Sequence, residues 1–106
     1  MEEQSALEEI ARLEAQMGGD PSAGAFPALA EANRRAGRAK EAERVAREGL
    51  RERPDFVAGR VALSLALLDL GQLDEARAEL MQVLEAIPDP AVAEDALRHA
   101  EAPDWV

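Results

Sequence analysis

Sliding the chain against itself by 34 residues superposes Leu29 on Leu63, Ala32 on Ala66, Gly37 on Gly71, Glu41-Ala42 on Glu75-Ala76, Leu50 on Leu84 and Pro54-Asp55 on Pro88-Asp89, without a gap. A fixed period of this length means that one supersecondary unit is built twice, each copy burying its apolar side against its neighbour. This repeat constrains the fold more than any other feature of the sequence.

Within each unit the punctuation reads helix, turn, helix, turn. Gly37 and Gly71 end the first helix of each pair, because glycine reaches the left-handed conformation that a helix C-terminus often requires. Pro54 and Pro88 end the second, since proline lacks an N–H and disfavours helical geometry in the preceding residue, here Arg53 and Ile87. Helices are therefore predicted over residues 25–36, 39–52, 56–70 and 73–86. Apolar residues recur at three- and four-residue spacings in both second helices. Ala39, Ala42, Val45, Ala46, Gly49 and Leu50 form one buried stripe; Leu73, Ala76, Leu80, Val83, Leu84 and Ile87 form the other. Gly49 stands where Val83 stands in the second copy, which costs helix propensity of about 1 kcal/mol relative to alanine and points to a close helix approach.

Two flanking helices complete the chain. Ser5-Ala6-Leu7-Glu8 has the spacing of a capping box, followed by Leu7, Ile10, Ala11 and Met17 on one face and ended by Gly18-Gly19-Asp20-Pro21. Asp89-Pro90 opens a helix over about 91–101, with Val92, Ala93, Ala96, Leu97 and Ala100 as its packing side. The expected organisation is an N-terminal flanking helix in residues 1–19, repeats in 20–56 and 57–90, and a C-terminal capping helix and tail in 91–106, all within one domain. The fold class is all-α, with about six helices. The composition agrees: Ala, Glu, Arg and Leu dominate, and Phe26, Phe56 and Trp105 are the only aromatic residues, so an alanine-rich core must bring helices close together.

Charge and residue inventory narrow the function. The net charge of −10 disfavours nucleic acid and anionic membranes as partners, because both need clustered Lys and Arg. It is unevenly spread: −5 over residues 1–20, +2 over 21–56 and −7 over 57–106. No cysteine is present, His99 is the only histidine, and no glycine-rich phosphate loop follows a strand, so neither a metal site, a cofactor nor enzymatic chemistry is expected. The longest apolar stretch, Val61 to Leu68, is too short to insert in a membrane, and the N-terminus carries no export-signal pattern, which makes a cytoplasmic location the expectation. Arginine outnumbers lysine 11 to 1 and alanine is abundant, which suggests a bacterial, GC-rich source.

Residues 23–90 resemble the tetratricopeptide repeat family. The matching positions are Leu29 followed by small Ala30, then Gly37, Ala42, Leu50 and Pro54, and again Leu63 followed by small Ser64, then Gly71, Ala76, Leu84 and Pro88. The sequence departs from the pattern where the family places aromatics. Arg60 stands opposite Phe26, Asn33 and Leu67 occupy the middle of the first helices, and Ala46 and Leu80 occupy the second. The resemblance implies a right-handed α-solenoid of helical hairpins that binds a peptide or helix in a concave groove lined by the first helix of each pair. Carried over by position, the groove residues are Pro27, Glu31, Arg34 and Arg35 from the first repeat and Val61, Leu65, Leu68 and Asp69 from the second. Pro27, Glu31, Val61 and Leu65 replace the Lys and Asn pairs with which one family subclass clamps a carboxylate, so that ligand is not expected.

Several features carry two readings. Val61, Leu65 and Leu68 share one helical face, which either receives an amphipathic helix of a partner protein or is covered by helix 4–17 or helix 91–101. Arg34, Arg35, Arg38 and Lys40 form a basic cluster that either meets an acidic partner or is a solvated turn. Trp105 and Val106 at the tail either anchor in a groove, of this copy or another, or fray. A non-enzymatic adaptor or scaffold that binds an amphipathic helix or extended segment of a protein or peptide is the leading expectation. Self-assembly into a homo-oligomer is the alternative, since two repeats fall below the usual minimum of about three for a stable stack.

Overall fold

The computed structural model describes residues 2–86 as five helices: α1 (Glu2–Met17), α2 (Phe26–Arg35), α3 (Ala39–Glu52), α4 (Val57–Asp69) and α5 (Leu73–Glu85). The expected sixth helix over 91–101, together with Ile87, His99 and the Trp105-Val106 tail, lies outside the described residues. Among those described the structure is all-helical. Helices α2 and α3 form one hairpin and α4 and α5 the next; α4 packs against both α2 and α3, and α1 packs along α2.

The two hairpins turn identically. Gly37 and Gly71 have φ of 79° and 76°, the left-handed conformation expected of them. In each turn the glycine N–H donates three residues back, to the Arg34 or Leu68 carbonyl at 3.0 Å. The next N–H donates five residues back, from Arg38 to Asn33 at 2.8 Å and from Gln72 to Leu67 at 2.9 Å. Such paired bonds satisfy the last carbonyls of a helix and set the exit angle of the chain. Two copies of one turn give α2 and α4 the same register relative to their partners, which is why the 34-residue offset also works as a structural alignment.

The core is built largely of alanine. Ala30, Ala32, Ala42, Ala46, Ala66 and Ala76 are buried, with Leu29, Leu50, Leu63 and Leu67 filling the wider spaces. One aromatic ring is wedged into this close packing. Phe26, at the start of α2, is fully buried between α3 and α4, and a Cβ placed on Gly49 would fall into its ring. A Cβ on Gly59 would lie 2.6 Å from the Phe26 Cζ. Both glycines exist where the backbone meets the ring, which accounts for the helix-weakening residue at position 49. Phe56 meets Phe26 edge-on, with centroids 5.3 Å apart, and the Arg53 guanidinium covers Phe56 at 4.2 Å. In the second repeat Arg60 replaces the ring, donating to the Pro54 carbonyl at 2.9 Å and to Glu79 of α5 at 2.7 Å, while Val83 stands in place of Gly49.

Three expectations are corrected. The capping box at Ser5–Glu8 does not start the first helix: α1 already begins at Glu2, so Ser5 sits within it. The face of α1 that meets the core runs through Ala6, Ile10 and Leu13 with Leu7 and Met17 packed partly buried beside them, so of the expected residues only Ala11 is misplaced, being exposed. The apolar stripe of α5 is not buried either. Only Ala76 is, Val83 is half-buried, and Leu73, Leu80 and Leu84 are exposed. Its counterpart on α3 is buried at Ala42, Val45, Ala46, Gly49 and Leu50 because α4 lies against it. A stripe of this kind is buried only where another helix follows, and periodicity alone does not say whether one does.

Candidate functional site

Helices α2 and α4 lie side by side. Because they share a register, Pro27, Glu31 and Arg34 on α2 are equivalent to Val61, Leu65 and Leu68 on α4, each set spaced i, i+4, i+7 along one face. The opposite side of α4 carries Ala62, Leu63, Ala66 and Leu67, all buried. On the outer side Leu65 is half-buried, Val61 is 36% exposed and Leu68 is 43% exposed. Helix α4 is thus apolar on both sides, and the row Val61-Leu65-Leu68 has water on one side of it.

The charged half of this face is internally paired. The Arg34 guanidinium donates to Glu31 at 3.0 and 3.1 Å and to both oxygens of Asp69 at 3.1 and 3.2 Å, so one arginine bridges α2 to α4. The hydrogen bonds to Glu31, and after them those to Asp69, hold the Arg34 proton more tightly than usual. The side chains of Arg34 and Asp69 are 28% and 37% exposed, so water screens the bridge, which is worth about 1 kcal/mol or less. Its main effect is geometric. It fixes the spacing of the two helices beside Leu68 and leaves the trio with one net negative charge.

Arg35 does not join this group. It donates to Glu9 of α1 at 2.8 Å, tying α1 to α2. Lys40 lies 3.6 Å from Glu43. The basic cluster at the first turn therefore has three of its four members engaged with carboxylates of the same chain. Helix α1 packs along α2 and does not cover Val61, Leu65 and Leu68.

Two features were not read from the sequence. One is the Glu31-Arg34-Asp69 trio, for which a pairing of residues 35 apart gives no local signal. The other is the concentration of exposed apolar side chains: Val57, Val61 and Leu68 on α4, and Leu73, Leu80, Met81 and Leu84 on α5, are all of the large ones exposed among the described residues. Among the same residues no group of His, Cys, Asp or Glu is placed to hold a metal ion, and no helix is long and apolar enough to cross a membrane.

A family model described as tetratricopeptide repeat matches residues 33–99, more than half of the chain, from within α2 through α5 and beyond it. No curated protein and no solved structure matches the chain.

Proposed function

Because the chain belongs to the tetratricopeptide repeat family, whose repeats generally mediate contacts between proteins, we propose that it is a non-catalytic interaction module that receives an amphipathic helix of a partner protein across α2 and α4. The observation that carries this reading is the exposed row Val61-Leu65-Leu68, braced by the Arg34-Asp69 bridge. A helix presenting apolar residues at i, i+3 or i+4 and i+7 has the spacing to lie along that row. Arg34 is already matched by two carboxylates, Glu31 and Asp69, and so is not free to meet an acidic partner. The overall charge of −10 favours a partner with a basic outer face. An adaptor or scaffold role fits a module of this size, as does a cytoplasmic setting.

The test uses a displayed library of helical peptides selected against the intact chain. Leu65→Glu places in the second repeat the side chain that Glu31 already supplies at the equivalent, half-buried position of the first, and Val61→Asp changes an exposed residue, so both variants keep the fold. Together they are expected to weaken the selected peptides by about ten-fold or more, since each side chain contributes about 1.5–3 kcal/mol when fully buried. Peptides that bind the doubly substituted chain as tightly as the parent would contradict the reading.

Self-assembly is a second reading, favoured by one observation: among the described residues α5 is the last helix of the stack and its Leu73, Leu80, Met81 and Leu84 are exposed, as a face shared with a second copy would be. Light scattering across a range of concentrations separates the readings, a monomer throughout favouring the module and a stable dimer favouring assembly.

A further inference from the structure

The face formed by α2 and α4 has two unlike ends. The helices run in the same direction: the Phe26 ring, at the start of α2, packs against Gly59 near the start of α4, and Arg34, in the last turn of α2, bridges to Asp69, the last residue of α4. At their N-terminal end the face is apolar. Pro27, Val57 and Val61 stand there, and neither helix has a carboxylate in its first turn. At their C-terminal end it is acidic. Helix α4 closes on Asp69 with no basic residue in its last turn, and both arginines that end α2 are taken, Arg34 by Glu31 and Asp69 and Arg35 by Glu9.

Two features of the acidic end call for a positive charge from outside. Glu31 and Asp69 share one guanidinium, and each accepts two hydrogen bonds from it, which leaves about half of the acceptor positions of each carboxylate unused. Their side chains are 35% and 37% exposed, so a further donor can reach them. The second feature is the field of the helices themselves. Parallel dipoles add, and each places about half a negative charge at its C-terminus, where a lysine or arginine ordinarily offsets it. That offset is absent from α4 and already spent on α2.

On the reading of this face as a helix-binding surface, we infer that the partner helix runs antiparallel to α2 and α4 and sets a Lys or Arg of its first turn on Glu31 and Asp69. Its apolar residues then continue along Leu68, Leu65 and Val61 toward Val57, a run of about 16 Å. An apolar row alone accepts a helix in either direction, so the charge at one end decides. In the antiparallel arrangement the positive N-terminus of the partner meets the carboxylates. In the parallel one its C-terminal carbonyls would face Asp69 and the C-terminus of α4, like against like.

The probe is the tightest binder from the displayed helical library, measured on the full chain. It is expected to carry a Lys or Arg in its first turn, and a binder with no basic residue there would overturn the inference. Replacing that residue by Gln is expected to weaken binding to the parent chain several-fold and to change binding to the Asp69→Asn variant little, since Arg34 then pairs with Glu31 alone. An equal loss on both chains would count against the contact. Direction is read from a nitroxide on the peptide. At the peptide N-terminus it is expected to broaden the amide signals of Leu70, Gly71 and Gln72 more than those of Val57 and Ala58, and at the C-terminus to reverse that order. The opposite order, or equal broadening at both ends, would overturn the assigned direction while leaving the binding face in place. Broadening that reaches neither end of α4 would remove the face itself, and the inference with it.

Discussion

Phe26→Ala is expected to lower the unfolding free energy by about 3–5 kcal/mol, a large part of the stability of a domain this small. The ring is fully buried, and it fills a slot that exists only because residues 49 and 59 are glycines, so the backbones around it cannot close over the space it would leave. Gly49→Ala is the mirror experiment. The added Cβ falls into the ring, and the neighbour that must give way is an aromatic side chain packed between two helices and edge-on to Phe56. Overpacking of this sort costs about 1–3 kcal/mol, offset only slightly by the better helix propensity of alanine. In the double variant the methyl group occupies space that the ring has vacated. The two losses are therefore expected to be strongly non-additive, with a coupling of about 1–3 kcal/mol in urea unfolding followed by circular dichroism. Simple additivity would show that the ring and Gly49 do not share the slot.

The second large effect concerns one repeat position occupied by different residues. Leu67 is fully buried in α4, and its counterpart in α2 is Asn33, also buried. The Asn33 amide nitrogen donates to the Leu29 carbonyl at 3.0 Å, but its Oδ1 has no partner. Leu67→Asn removes a core side chain and buries an amide of the same kind, so a loss of about 3–5 kcal/mol is expected. Asn33→Leu is expected to act in the opposite direction, stabilising the chain by about 1–2 kcal/mol, because it removes an orphaned acceptor and supplies a residue of the shape the second repeat uses there. A rise in the urea midpoint for Asn33→Leu and a fall for Leu67→Asn would establish the position as a core site in both repeats. Destabilisation by Asn33→Leu would contradict the view that its amide strains the core.

What could be read from the sequence was whatever local chemistry decides. The turn glycines, the terminating prolines and the equivalence of the repeats all act within a few residues, and the helix limits they imply agree with α2 to α5 to within one residue at either end. The close approach at Gly49 was also legible, as an otherwise unexplained glycine within a helix, although its cause, the Phe26 ring, was not. The exposure of the α5 stripe was hidden because Leu80 and Leu84 have the same spacing whether or not a helix follows them. The capping box at Ser5 failed because a four-residue motif cannot exclude helix on its N-terminal side.

The candidate face was legible in part. The offset placed Val61, Leu65 and Leu68 on one side of α4, where the structure keeps Val61 and Leu68 exposed and Leu65 half-buried. It also grouped Arg35 with Arg34, yet the two diverge, toward α1 and α4 respectively, because consecutive helical residues point about 100° apart and meet different neighbours. The identity of those neighbours is tertiary information that a two-repeat sequence does not contain.

The most direct measurement of the central proposal is amide chemical-shift mapping of a selected helical peptide on the isotope-labelled chain. The account predicts perturbations concentrated at Glu31 and Arg34 on α2 and from Val61 to Asp69 on α4. Perturbations confined to α5, or to the outer face of α3 around Arg44, Glu48 and Arg51, would contradict it.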